Sequence, residues 1–447
     1  MKRSILIAVL FAGCLSACEL LDIDRVKDPI KISSPQPKTQ ITKVSLTSQE
    51  AAMVGYGNEL TFKMLPLLRE GNKSFIFSPL SIQYALGMTA NGASGETLSQ
   101  MLGALGFWDK NQELISSDIQ AMNSLCNKLL NELPAVDLDV KLQLADAILV
   151  NDLYPLHPDF KQLVESTYYA AVENMSFDDP TYVAARINEW ASRNTNGLIK
   201  KMLEPSDIDP AALAFLMNAL YFKAPWVPKN SDPLFMKEST RDQEFYTGGC
   251  DVIMVPTMHT YRNFRYADLD SFRVLEIPYA SGKFAMYILL PEGEYVGDQP
   301  GTVPDIYTFD SLLKDSPNLD WNAVVSKLKL REVNLSLPRF ETSSSYNLND
   351  ALQKLGMTLA FSDAAQFDRM FANPAVQACI DMVIQKARIS VTEWGTEAAA
   401  VTVVGMKESS AYNPEPPVDF ICDHPFAYLI AEKSSGTILF AGAYCGN

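Results

Sequence analysis

Helical spacing of apolar residues dominates the first third of this chain and strand spacing the middle and end, without a regular alternation of the two. Thr47-Ser48-Gln49-Glu50 is a capping-box pattern, and Met53, Tyr56, Leu60, Met64 and Leu67 follow at helical intervals. Segments 96–106 and 114–133 also read as helices. Segment 140–150 (VKLQLADAILV) reads as a strand, as does Val333-Asn334-Leu335-Ser336-Leu337. Ala427–Ala431 and Thr437–Ala441 flank a Lys433-Ser434-Ser435-Gly436 turn, which makes a terminal hairpin. There is no regular strand–helix–strand rhythm and no internal repeat. The pattern points to an α+β fold with mixed or antiparallel sheets.

Composition narrows the function. The chain has 447 residues, is 47% hydrophobic and carries a net charge of -16. That hydrophobic fraction excludes general disorder. The acidity argues against nucleic acid, whose phosphates require a basic surface. Only three histidines are present, His157, His259 and His424, which leaves little material for histidine-based catalysis or metal binding.

The N-terminus reads as an address. Lys2 and Arg3 precede a short apolar run, Ile5 to Phe11, too short to span a bilayer. Leu15-Ser16-Ala17-Cys18 then resembles a bacterial lipobox, and the resemblance implies cleavage before Cys18 and acylation of that residue. The expected organisation is a signal peptide over 1–17, a lipidated cysteine and flexible tether over 18–45, and one domain over 46–447. The tether, with Pro29, Pro35 and Pro37, would reach about 25–30 Å. Loss of the signal leaves 35 basic against 53 acidic residues, a net -18. Glu19 after the cysteine favours outer-membrane sorting, facing either the surface or the periplasm. Cys126, Cys250, Cys379, Cys422 and Cys445 remain besides Cys18, an odd and scattered set that forms neither a disulfide framework nor a metal site.

Several segments, in order, resemble the serpin family. They are Phe75-Ile76-Phe77-Ser78-Pro79-Leu80-Ser81-Ile82, running on to Asn91-Gly92-Ala93 and Thr97, and Ile187-Asn188-Glu189-Trp190 with Thr195-Asn196-Gly197-Leu198-Ile199. Further along come Asn218-Ala219-Leu220-Tyr221-Phe222-Lys223 with Trp226, Leu337-Pro338-Arg339-Phe340, Leu355-Gly356-Met357 with Ala360-Phe361-Ser362, Gly395-Thr396-Glu397-Ala398-Ala399-Ala400, and His424-Pro425-Phe426. The resemblance implies three mixed or antiparallel β-sheets, about eight or nine helices and an exposed reactive-centre loop. It also implies a monomeric protease inhibitor, not an enzyme, without cofactor or metal. Its partner would be a serine or cysteine protease trapped covalently while the cleaved loop inserts into the main sheet.

The loop's own residues bear on that implication. From Thr396 one strand face carries Thr396, Ala398, Ala400, Thr402 and Val404; the other carries Glu397, Ala399, Val401 and Val403. Only Glu397 is charged and no proline interrupts, so residues 396–404 can become a central strand. Gly395 supplies the hinge. Counting from the hinge as inhibitory members do sets the scissile bond between Ser409 and Ser410, suited to an elastase-like protease. Met406, Lys407 and Glu408 are neighbouring alternatives. Asn413-Pro414-Glu415-Pro416-Pro417 would form a stiff return arm.

The resemblance also assigns supporting roles. Arg339 would face Glu393 at the loop's root, a partly exposed pair worth ~0.2–1 kcal/mol. Trp226 would lie at the top of the sheet. Ser78, Ser81, Asn218 and Gln385 would form the polar cluster where the central strands part. Gln385 does not titrate near neutral pH, so no pH-sensitive opening is expected through it. Trp394 departs from the acid common at its position. Cys422 and Cys445, projected outward from the terminal hairpin, come near each other, leaving a disulfide or two packed thiols open. Three other readings stand beside inhibition: a non-inhibitory serpin-like binding or structural surface protein, a hydrolase built on Asp423-His424 with a loop serine, and a substrate-binding surface lipoprotein.

Overall fold

The computed structural model describes residues 3–7, 30, 39–107, 116–229, 231–247, 251–269, 271–292, 308–396 and 415–447. Leading the chain, Arg3–Ile7 is a short strand, β1. The helical third follows as α1 (Ser48–Leu68), α2 (Pro79–Ala90), α3 (Gly95–Ala104) and α4 (Ser116–Glu132), with β2 (Phe75–Phe77) between the first two. The capping box is present: Thr47 N donates to Glu50 Oε2 at 2.7 Å and Glu50 N to Thr47 Oγ1 at 3.2 Å. Packing begins upstream of it, with Val44 buried and Ile41 N donating to the Ala135 carbonyl at 2.9 Å. On the α1 stripe Met53, Leu60 and Met64 are buried, whereas Tyr56 is exposed.

Helix α2 is apolar on nearly every side and is buried along almost its whole length, as a central helix must be. It packs against strands of both sheets described below. Pro79 at its first turn and Ser78 at its N-cap start it cleanly.

The remaining elements are β3 (Lys141–Asn151), α5 (Pro158–Thr167), β4 (Ala171–Met175), α6 (Pro180–Asn194), β5 (Ala214–Pro225), β6 (Arg241–Tyr246), β7 (Val252–Asp268), β8 (Phe272–Tyr279) and β9 (Phe284–Pro291). After them come α7 (Phe309–Asp315), α8 (Trp321–Lys327), β10 (Lys329–Pro338), β11 (Phe340–Asn347), α9 (Asn349–Lys354), β12 (Ala378–Thr392), β13 (Gly395–Thr396), β14 (Val418–Ile421), β15 (Phe426–Glu432) and β16 (Ile438–Tyr444). Strands β15 and β16 are the hairpin expected from the turn cluster.

Two sheets result. The nine-stranded one runs β14-β10-β7-β8-β9-β15-β16-β2, with β6 paired to β7. The 17-residue β7 divides it: Val252–Tyr266 pairs with β6 and β10, and Arg265–Asp268 with β8. Counted on either side of that long strand, the molecule has the three sheets expected, and nine α-helices among the described residues.

The seven-stranded sheet positions the site. Its order is β1-β12-β13-β5-β3-β4, with β11 on the far side of β12. Strands β5 and β12 run in the same direction and are separated by a slot. At the upper end β13 pairs antiparallel with both, Thr396 opposite Val391 and Ala224. At the lower end β1 pairs parallel with both, Ile7 opposite Val383 and Leu216. A strand bonded on both edges holds its neighbours two ladder spacings apart, about 9.5 Å. Between those ends no described strand pairs with the slot-facing edges of residues 217–223 and 384–390. Helix α6 covers the sheet's outer face through Val183, Ile187 and Trp190, packed on Met217, Ala219 and Ile384.

Candidate functional site: the slot between two central strands

The upper end of the slot is built on aromatic packing. Trp226, buried just past the end of β5, stacks on Tyr279 with ring centroids 4.6 Å apart and planes 6° from parallel. Such a stack is worth about 0.5–1.5 kcal/mol beyond its buried area. The indole Nε1 donates to the Thr392 carbonyl at 2.7 Å, and the Trp226 amide to the Trp394 carbonyl at 3.1 Å. Trp226 thus lies at the top of the sheet and bonds the segment that leads into the loop as well as filling the core.

Gly395 and Thr396 already lie in the sheet. Thr396 is buried, its hydroxyl 2.5 Å from the Tyr279 hydroxyl. Gly395 has φ +139°, and a Cβ there would run into the Ala224 carbonyl and the Pro225 Cα. Glycine is therefore required by close backbone approach, and not only as a flexible joint.

Glu393 and Arg339 face each other with unequal exposure. The Glu393 carboxylate is buried while Arg339 is half exposed, and their closest approach is 3.8 Å. The shorter contact comes from Thr240, whose hydroxyl donates to Glu393 Oε1 at 2.8 Å. Thr240 carries no motif, so nothing in the sequence marked it.

The polar cluster lies near the lower end of the slot, two residues from the Val383 and Leu216 positions that pair with Ile7. Gln385 on β12 clasps Ser78: the Ser78 amide donates to Gln385 Oε1 at 3.0 Å, and Gln385 Nε2 donates to the Ser78 carbonyl at 2.7 Å. Ser78 Oγ donates to the Leu439 carbonyl at 2.7 Å and accepts from the Ser81 amide at 3.1 Å. Ser81 Oγ donates to Asn218 Oδ1 on β5. The cluster therefore ties both walls of the slot to helix α2.

One member was missed. Asn218 Nδ2 donates at 2.8 Å to Asp146 Oδ1 on β3, directly opposite in the ladder. Asp146 is buried and desolvation raises its carboxyl pKa to about 7. The available signal was a lone carboxylate within the apolar run of segment 140–150, a residue type almost never buried without a reason.

The loop itself lies outside the described residues. That covers Glu397, Ala398, Ala399, Ala400, the candidate bonds at Met406, Lys407, Glu408, Ser409 and Ser410, and Cys18 in the leader. Its return arm is described from Glu415, where Arg331 Nη1 pairs with Glu415 at 2.7 Å and Arg331 Nη2 donates to the Pro416 carbonyl at 3.0 Å.

Other sequence candidates are settled by contact. Both ring nitrogens of His424 are engaged, Nδ1 with Asp423 at 2.7 Å and Nε2 with the Pro291 carbonyl at 3.0 Å, which leaves no nitrogen for a serine nucleophile. Cys422 and Cys445 are buried free thiols, not a disulfide. Among the described residues no three His, Cys, Asp or Glu side chains are grouped to hold a metal, and no helix is long and apolar enough to cross a membrane.

The slot between β5 and β12, bridged at its upper end by Gly395 and Thr396, is the geometry that the comparisons with known proteins place in a family. Residues 56–446 match the family model for serpins, described as serine protease inhibitors, and the chain belongs to that family. It is 31% identical to Serpin-Z2A of Triticum aestivum over 90% of this chain and 97% of the relative. An uncharacterized serpin-like protein of Thermococcus kodakarensis is also 31% identical, over 99% of this chain and 98% of its own. Among solved structures, tengpin, a thermophilic serpin in its native state, superposes with a TM-score of 0.75 at 26% identity, covering 95% of this chain and 99% of tengpin. A cleaved serpin, Serpin 42Da, gives 0.72 at 26% identity, covering 89% and 98%.

Proposed function

We propose that this serpin is a suicide inhibitor that traps an elastase-like serine protease, acting as a monomer. The supporting observation is register. Extending β13 down the slot sets Glu397 to Val403 against residues 390 to 384 of β12 and 223 to 217 of β5. Seven residues fill the interval left between the two paired ends. Ala398, Ala400, Thr402 and Val404 then face Ile389, Ala387, Gln385 and Val383 on one wall and Phe222, Leu220, Asn218 and Leu216 on the other, all buried. The uncharged face of the loop meets the dry face of the sheet, which avoids burying a charge.

Register also gives Glu397 a partner. It would lie opposite Lys223, which in the described sheet stands directly across from Lys141. Like charges directly opposite are destabilising, so an entering carboxylate relieves that pair. Thr402 would arrive beside Asn218 and Gln385 and offer its hydroxyl to the polar cluster.

Cleavage after Ser409 leaves the protease as an acyl-enzyme at the end of a segment long enough to traverse the slot. Cleavage at Met406, Lys407 or Glu408 keeps the same mechanism with a different target. Incubation with a panel of serine proteases tests the reading. A complex that survives denaturing electrophoresis, with a small C-terminal fragment beginning at Ser410, supports it. Cleavage throughout the panel without such a complex overturns it in favour of the non-inhibitory alternative.

For location, the lipobox supports a lipoprotein acylated at Cys18 and anchored in the outer membrane. Removal of residues 1–17 would also vacate the place that Arg3–Ile7 takes at the lower end of the slot, which is where loop residues beyond Val403 would arrive. Incorporation of radiolabelled palmitate that is lost in Cys18→Ser tests the anchor.

A further inference from the structure

Asp146 is an unexpected residue to find at the centre of a folded domain. It is flanked by the buried Ala145 and Ala147 on β3. One carboxyl oxygen accepts the Asn218 amide at 2.8 Å, while the other, equally buried, has no hydrogen-bond partner. The titratable groups facing it are Tyr84 from α2, Cys126 from α4 and Tyr168 just beyond α5. Burial pushes all three upward, so each is neutral near pH 7 and none offers a compensating positive charge. No ion pair among the described residues involves Asp146, and its one partner is the residue that links β5 to helix α2.

We propose that Asp146 is an acid–base latch on the slot: neutral, it holds Asn218 and the polar cluster closed, and ionised, it loosens β5 at the point where the sheet must part. The chain Asp146–Asn218–Ser81–Ser78–Gln385 crosses from β3 through α2 to β12, so a charge placed at one end acts on both walls. A buried carboxylate with one unpartnered oxygen is unstable relative to its protonated form or to a solvated one. Opening of the slot is the available route to solvation. Gln385 cannot supply such a response, and Asp146 can. The inference rests on the slot as the moving part and not on which protease, if any, is trapped.

The sign follows from linkage. The folded carboxyl titrates near pH 7, above the unfolded value of about 3.9. The native state therefore binds the extra proton between those values, and its stability falls as pH rises through that window and levels off above it. In Asp146→Asn this component is absent. The ratio of wild-type to variant unfolding constants should rise about tenfold per pH unit between pH 5 and 7 and become flat beyond.

The test is hydrogen exchange of the purified chain from pH 5.5 to 8, corrected for intrinsic rates, followed in peptides covering 214–225 and 378–392. The expected result is loss of protection in both walls as pH rises from 5.5 to 7 for wild type, and a much weaker change over that range in Asp146→Asn; Lys386 on β12, whose pKa burial lowers to about 8, acts above it in both. In parallel, infrared difference spectra of wild type should show a protonated carboxylic acid at pH 5.5 that disappears by pH 8. This second measurement needs no variant to fold. Equal pH dependence in wild type and variant, or no protonated carboxyl at pH 5.5, overturns the proposal. Neither readout depends on inhibition, so failure here is separate from failure of the protease-trapping reading.

Discussion

The hydroxyls of Tyr279 and Thr396 meet at 2.5 Å under the stacked Trp226 ring, seating the first residues of the loop in the main sheet. Gly395 and Thr396 are therefore paired in the sheet, and Thr396 is held there by a specific side-chain contact. Removing one partner tests it. Tyr279→Phe leaves the buried Thr396 hydroxyl without its partner and should cost about 1 kcal/mol. Thermal unfolding should show a small drop, and protection of the Gly395 and Thr396 amides should fall more than that of β12 as a whole. An unchanged exchange rate at those two amides would count against the contact.

Gly395→Val places a side chain against the Ala224 and Pro225 backbone at a positive φ. The hinge should be expelled from the slot. The variant should still be cut by the target protease but release it, converting an inhibitor into a substrate. The stoichiometry of inhibition, measured by titrating protease activity, should rise several-fold.

Charge exchange tests whether Glu397 meets Lys223. Lys223→Glu should slow loop insertion, because Glu397 would then meet a like charge. Glu397→Lys should slow it similarly, and the double exchange should restore most of the rate. Stopped-flow fluorescence of a labelled loop gives the rates. Additive losses in the double variant would mean that the two residues do not meet.

Cys126, Cys422 and Cys445 should be inert. Burial pushes the Cys126 and Cys445 thiols up to about 12 and raises Cys422 as well. Alkylation at pH 8 followed by peptide mapping should leave all three unmodified in the native chain and modify them after denaturation without any reductant. A requirement for reductant would reveal a disulfide.

Much of this architecture was legible because it rests on local rules. The capping box at Thr47, the turn at Lys433–Gly436 and the apolar run of β3 each announce one element, and the family motifs mark Ser78, Ser81, Asn218 and Gln385, which hydrogen bonds join. Contacts between segments that carry no motif were not legible. Thr240, not Arg339, makes the shorter contact to Glu393, because the pairing depends on how a loop before β6 passes the root of β12. Asp146 looked like one residue in a strand until the ladder set it opposite Asn218. Cys422 and Cys445 remained ambiguous because projecting a hairpin fixes spacing along strands, not side-chain direction.

The account turns on a slot that accepts the loop, and the melting temperature of the chain before and after cleavage within residues 406–410 measures this most directly. A loop that enters adds a full strand to the seven-stranded sheet and buries its small-residue face, so the cleaved chain should melt well above the intact one. A cleaved chain that melts at the same temperature or lower would contradict insertion, and the inhibitory mechanism with it.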